Sequence, residues 1–179
     1  MINFIFFGRT TQEKWIDLIL EVFSRLSKEW INTRRLDIFG DGQLATNCIL
    51  AAQNNRNIIY HGRATMGSIA PCLRQADYSL TPSLVVETFW KSALSSLQYG
   101  VPIIWFSKWW LAQFMDPWLA IEKSTPAESL YQICKNIILG NLHPNKTEIQ
   151  KRTLPYDKKL RISTIQKYFG DHTSILHIS

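Results

Sequence analysis

Four short stretches of this 179-residue chain carry residues suited to a ligand site, two of them to holding an anion. Gly8-Arg9 closes an apolar run, and Lys14 follows five residues later. An arginine offers a flat bidentate fork and a lysine a point charge, so a turn carrying both suits a phosphate, although two such cations also read as solvated surface charges. The run Thr88-Phe89-Trp90-Lys91 opens a helical pattern behind Thr81-Pro82-Ser83-Leu84-Val85-Val86-Glu87. Unpaired amides at a helix start attract phosphate, and Glu87 taken alone reads as a first-turn acid that complements the helix dipole. Gly40-Asp41-Gly42 is a tight turn of a common kind. In His61-Gly62-Arg63 the glycine leaves its backbone open to close approach, while His61 reads as solvated or structural and is assigned no proton transfer.

These residues need a scaffold, and the hydrophobic pattern supplies one. Asn3–Phe7 is a continuous apolar run stopped by Gly8, as expected of a strand buried on both faces. Trp15, Leu18, Ile19, Val22, Phe23 and Leu26 then recur at helical spacing, with Thr10 or Thr11 placed to cap the start. The unit repeats: strands are expected at Leu36–Phe39, Ile58–His61, Tyr78–Thr81 and Val101–Phe106, with a short edge strand at Leu119–Ile121. Helices are expected at Gln43–Gln53, Met66–Ala76, Phe89–Tyr99 and Ala127–Leu139, with Gly100 as a left-handed cap and Pro126 in a first turn. A last amphipathic helix is expected around 157–169. Alternation of this kind implies an α/β, Rossmann-like parallel sheet of five to six strands with helices on both faces. Ligands of such sheets bind beyond the carboxyl ends of the strands, where all four stretches fall.

Order and spacing together resemble the donor-binding half of glycogen-synthase-like, group 1 glycosyltransferases over roughly residues 4–139. Gly8-Arg9 and Lys14 resemble the cations that face the donor diphosphate in that family, although Trp15 stands where a glycine usually follows the lysine. Glu87 matches the first acid of the Glu-x7-Glu motif, which touches the donor sugar. The second acid, which grips the ribose, falls at Ser95, and Trp90 replaces the glycine of the helix entry. The resemblance further places Gly40 beside the donor, Gly62 and Arg63 near the base, and Ser83, Thr88 and Phe89 in the donor loop. It implies hexose transfer from a nucleoside-diphosphate sugar, with retention, no cofactor, no metal and no covalent enzyme nucleophile, in polysaccharide or glycoconjugate synthesis. Arg9, Lys14 and Glu87 would carry the catalysis. The acceptor would come from an N-terminal domain or a separate subunit, so the chain alone would be inactive. The replacements at Ser95 and Trp90 also fit a degenerate donor-binding module with a structural or regulatory role.

The totals agree with one folded domain, expected at residues 1–145, followed by a basic helical tail at 146–179 that packs on it or on the acceptor half. The net charge of +6 is scattered up to that tail, which reads first as a solvated face. Nucleic acid is therefore not an expected partner. Cys48, Cys72 and Cys134 form no metal-binding cluster and read as core thiols. Trp105, Trp109, Trp110 and Trp118 with Lys108 read first as core or interdomain packing, with a sugar platform or an interfacial belt as alternatives. The apolar start lacks the features of a signal peptide, and no run is long enough to span a bilayer. A cytoplasmic protein is expected, with peripheral contact at the inner face of a membrane left open.

Overall fold

The computed structural model describes residues 1–29, 34–82, 90–106 and 117–143, together with 145, 147, 149 and 151. Six strands form one parallel sheet: β1 (Ile2–Phe7), β2 (Arg34–Phe39), β3 (Ile58–Gly62), β4 (Tyr78–Leu80), β5 (Ile103–Phe106) and β6 (Ala120–Ile121). Their order is β3-β2-β1-β4-β5-β6. The chain first winds outward from β1 to β3 and then returns to β4 on the other side. Between β1 and β4 the crossovers diverge and open a crevice at the carboxyl edge.

Alternation along β1 divides the apolar core. Phe4 and Phe6 face one side with Leu36 and Ile38, covered by α1 (Ile16–Glu29), α2 (Ala45–Asn54) and α5 (Pro126–Ile138). Ile5 and Phe7 face the other with Phe39, against Ile69 and Leu73 of α3 (Met66–Gln75). Phe4 meets the Phe23 ring edge-on at 5.1 Å and stacks on Tyr78 at 5.6 Å. Helix α4 (Trp90–Gln98) is docked on β4 through a buried pair of hydroxyls, Ser96 Oγ and Ser79 Oγ, 2.9 Å apart.

The expected elements recur with ends moved by one or two residues. Gly100 takes the left-handed conformation at φ 72°, and the amide of Val101 closes the cap on the Ser96 carbonyl. Pro126 occupies the first turn of α5. The start of the first helix differs. Gln12–Lys14 forms a separate 3-10 turn, Trp15 is left-handed at φ 51°, and α1 begins only at Ile16. Neither threonine caps it: Thr11 precedes the 3-10 turn without a side-chain cap bond. Cys48 and Cys134 are buried as expected, whereas Cys72 is only half-buried. The expected helix at 157–169, Lys108, Trp109, Trp110 and the Trp118 side chain lie outside the described residues, while Trp105 is core.

Candidate functional site

The carboxyl ends of β1, β2 and β3 are laced together by their own backbones. The Gly8 amide donates to the Phe39 carbonyl (3.0 Å), Gly40 to Gly62 (2.7 Å), Thr10 to Asp41 (3.0 Å) and Leu44 to Thr10 (2.9 Å). The strand ladder thus continues into the loops and makes a fixed floor. Gly40 sits at φ 141°, and a Cβ there would fall inside the Gly8 carbonyl oxygen, so only glycine allows the two turns to touch. Gly62 is left-handed at φ 68°, with open space where its side chain would be. Its role is to turn the chain beside a cleft.

Above this floor lies a cleft of about 750 Å³. Gly8 and Arg9 from the first loop, Gly40 to Gly42 from the second, Arg63 from the third, and Ser92 and Ser95 from α4 line it. Phe7, Phe39, Ala64, Met66 and Ile69 supply an apolar stretch of wall. The elements on both sides of the sheet's reversal therefore face one space. Arg9 is largely exposed, with a loose ion pair to Glu13 at 3.6 Å, so its guanidinium is open to an anion. A pair this exposed contributes little to stability.

Lys14 is placed differently. It is only 6% exposed and is not among the residues lining the cleft. Burial first, and then the nearby positive charge of Arg9, push its ammonium down to about 8, with Glu13 opposing. The strained neighbour Trp15 packs its ring edge-on against Phe106 at 5.1 Å.

Of the residues singled out in the sequence, Gly8, Arg9, Gly40, Arg63 and Ser95 meet at the cleft. Gly62 adjoins it through the bond from the Gly40 amide to its carbonyl, and Lys14 is buried and outside the lining. Ser83, Glu87, Thr88 and Phe89 lie outside the described residues. The apolar wall and Ser92 were not singled out. Nor was Asp37, which is 5% exposed and paired with both Arg35 and His61. Its signal was an acid, Asp37, two residues from Arg35 and so on the same face of a strand that ends in the apolar Ile38 and Phe39. Among the described residues no group of three His, Cys, Asp or Glu side chains is placed to hold a metal ion. No helix among them is long and apolar enough to cross a membrane.

A cleft at the reversal of a parallel sheet occurs in domains of many functions and does not by itself name the family. A family model described as "Glycosyl transferases group 1" matches residues 2–117. The chain belongs to the group 1 glycosyltransferases. No curated protein sequence matches it. Solved glycosyltransferases share the fold at low identity. The apo lipopolysaccharide outer core galactosyltransferase WaaB superposes with a TM-score of 0.71 at 18% identity, over 93% of this chain and 48% of WaaB. The pneumococcal O-GlcNAc transferase GtfA, solved with UDP and GlcNAc, superposes with a TM-score of 0.69 at 20% identity, over 93% of this chain and 35% of GtfA. The catalytic domain of the cholesterol-α-glucosyltransferase from Helicobacter pylori gives 0.65 at 16% identity, over 87% of this chain and 99% of that one. This glycosyltransferase chain thus spans half or less of the length of WaaB and GtfA, and its sheet corresponds to one Rossmann-like half of a GT-B fold.

Proposed function

We propose that the cleft holds a nucleoside-diphosphate sugar and that this domain is the donor half of a retaining hexosyltransferase. The convergence of Gly8-Arg9, Gly40, Arg63 and Ser95 on one space at the sheet's reversal carries the reading. The cleft volume suits a ligand of nucleotide size. The UDP found with GtfA, which shares the fold, supports the same ligand class.

In this reading the diphosphate lies on the first loop. Arg9 contacts it directly, and the buried Lys14, five residues further along the chain, adds a second positive charge in a medium that screens poorly. As the sugar–oxygen bond lengthens, negative charge gathers on the departing diphosphate. Cations already in place stabilise that charge more than they stabilise the intact donor, and this difference lowers the barrier. Glu87 orients the sugar, and the base occupies the apolar stretch beside Gly62. Transfer needs no metal or other cofactor. The acceptor is brought by a further domain or a separate subunit, at the cytoplasmic face of a membrane or in the cytoplasm.

Calorimetry with a panel of nucleoside diphosphates tests the donor site. Binding in the micromolar to low millimolar range is expected, and Arg9→Ala should weaken it about tenfold, the loss of roughly one charge-assisted contact. Complete absence of binding overturns the reading. Ser95 in the cleft favours a second one, a donor-binding module without transferase activity. Binding without sugar release, in the presence of acceptor and acceptor half, would support that alternative.

A further inference from the structure

The carboxyl end of β3 holds a side chain that donor binding, as described so far, leaves unused. Pairing runs Ile38 opposite Tyr60 and then Phe39 opposite Gly62, so His61 is an extra residue in the ladder. Bulged residues have their side chains re-aimed, and they recur beside binding sites. Here the imidazole is caught from two directions. Its Nε2 lies 2.6 Å from Asp37 Oδ1. Its ring lies flat on that of Phe39, with 4.1 Å between centroids and 4° between planes. Asp37 is buried, and the Arg35 fork holds both its oxygens at 2.8 Å. Arg35, Asp37 and Phe39 alternate along β2, so the three side chains and the imidazole share one face of the sheet.

The far member of this chain is the one that matters to a ligand. Phe39 is 3% exposed, and its residue forms part of the cleft wall. The residue after His61 is the left-handed Gly62 with open space over it, and the next is Arg63, also on the cleft. We propose that His61 is a positioning residue for ligand binding: tied to Asp37 and stacked on Phe39, it fixes the ring wall and the Gly62-Arg63 turn in the shape that receives the flat base of a nucleotide. The proposal rests on the nucleotide reading of the cleft. A wall already fixed in the free protein loses little freedom on binding, which favours the ligand. Inorganic pyrophosphate, which has no base, would not sense this wall.

That difference supplies the test. Calorimetry on the full chain compares inorganic pyrophosphate with the tightest-binding of the uridine, guanosine, adenosine and cytidine diphosphates, in wild type, His61→Ala, His61→Phe and Asp37→Asn. Thermal melting of each variant confirms that it is folded. His61→Ala is expected to weaken the nucleotide about tenfold and to change pyrophosphate affinity less than about twofold. His61→Phe keeps a flat ring on Phe39 and should recover most of the loss, and Asp37→Asn should fall between. Equal losses for both ligands, no loss for either, or a phenylalanine variant no better than alanine would overturn the positioning role. Wild-type binding of pyrophosphate alone overturns the base-side placement. Binding of neither ligand overturns the nucleotide reading itself, and the role of His61 with it.

Discussion

At the scale of single residues, two glycines behave differently where the loops meet at the carboxyl edge. Gly40→Ala forces a methyl group into the Gly8 carbonyl, so the two turns must part. Gly62→Ala meets no atom and bears only the left-handed penalty of about 1 kcal/mol. Urea unfolding should therefore show a much larger loss for Gly40→Ala than for Gly62→Ala, and equal losses would refute the touching turns. Lys14 makes a pH prediction. Its ammonium titrates near 8 in the folded chain against an ordinary 10.5, so the folded state binds fewer protons than the unfolded one between those values. Stability from this group therefore rises with pH across that window, as the burial cost of the charge disappears. Anion binding has the opposite sign, because a diphosphate prefers the protonated lysine. Its affinity should fall as pH climbs through about 8, with an inflection that Lys14→Met removes. The position of Lys14 was legible in the sequence but its burial was not. Gln12 and Glu13 beside it are exposed, so sequence spacing alone places the lysine on a surface, yet its own side chain is buried. Trp15 misled for a similar reason: it has helical spacing, yet its backbone is left-handed and its ring serves β5.

At the scale of elements, most of the architecture was legible, because strands buried on both faces and helices with one apolar stripe leave distinct patterns. The docking of α4 was not. Ser79 and Ser96 are fully buried, and hydroxyls in a strand and a helix carry no period that announces their pairing. Ser95, the chain neighbour of Ser96, lines the cleft. Ser96→Ala leaves the Ser79 hydroxyl without its partner and should cost about 1–3 kcal/mol. Adding Ser79→Ala removes the stranded group, so the double variant should be more stable than Ser96→Ala alone. Urea unfolding of the single and double variants measures this coupling. Additive losses would show that the hydroxyls contribute independently. The Asp37–His61 pair escaped for the related reason that cross-strand partners depend on register, and a bulge shifts that register by one residue.

At the scale of the molecule, the reversal of strand order unites the two halves of the sheet around one space. The loops of β1, β2 and β3 are bonded to one another, while α4 reaches the cleft from the other side through Ser92 and Ser95. A nucleotide in the cleft would join these two groups and bind the folded state only. At a hundred times its dissociation constant it should add about 2.7 kcal/mol, which for a domain of this size raises the melting temperature by roughly 5–10 °C. The net charge of +6 offers a competing explanation for any such shift, since polyanions also gather on a basic surface. Salt separates the two. A diffuse cloud of charge is screened within about a Debye length, and its effect fades steeply between 0.05 and 0.3 M salt. Contacts in a walled cleft, one of them made by a ring, keep most of theirs. Differential scanning fluorimetry with a nucleoside diphosphate and with a short single-stranded oligonucleotide, at both salt concentrations, is the measurement. A shift that survives for the nucleotide and vanishes for the oligonucleotide is expected. Loss of both at high salt would assign the binding to net charge and remove the cleft's claim to a donor.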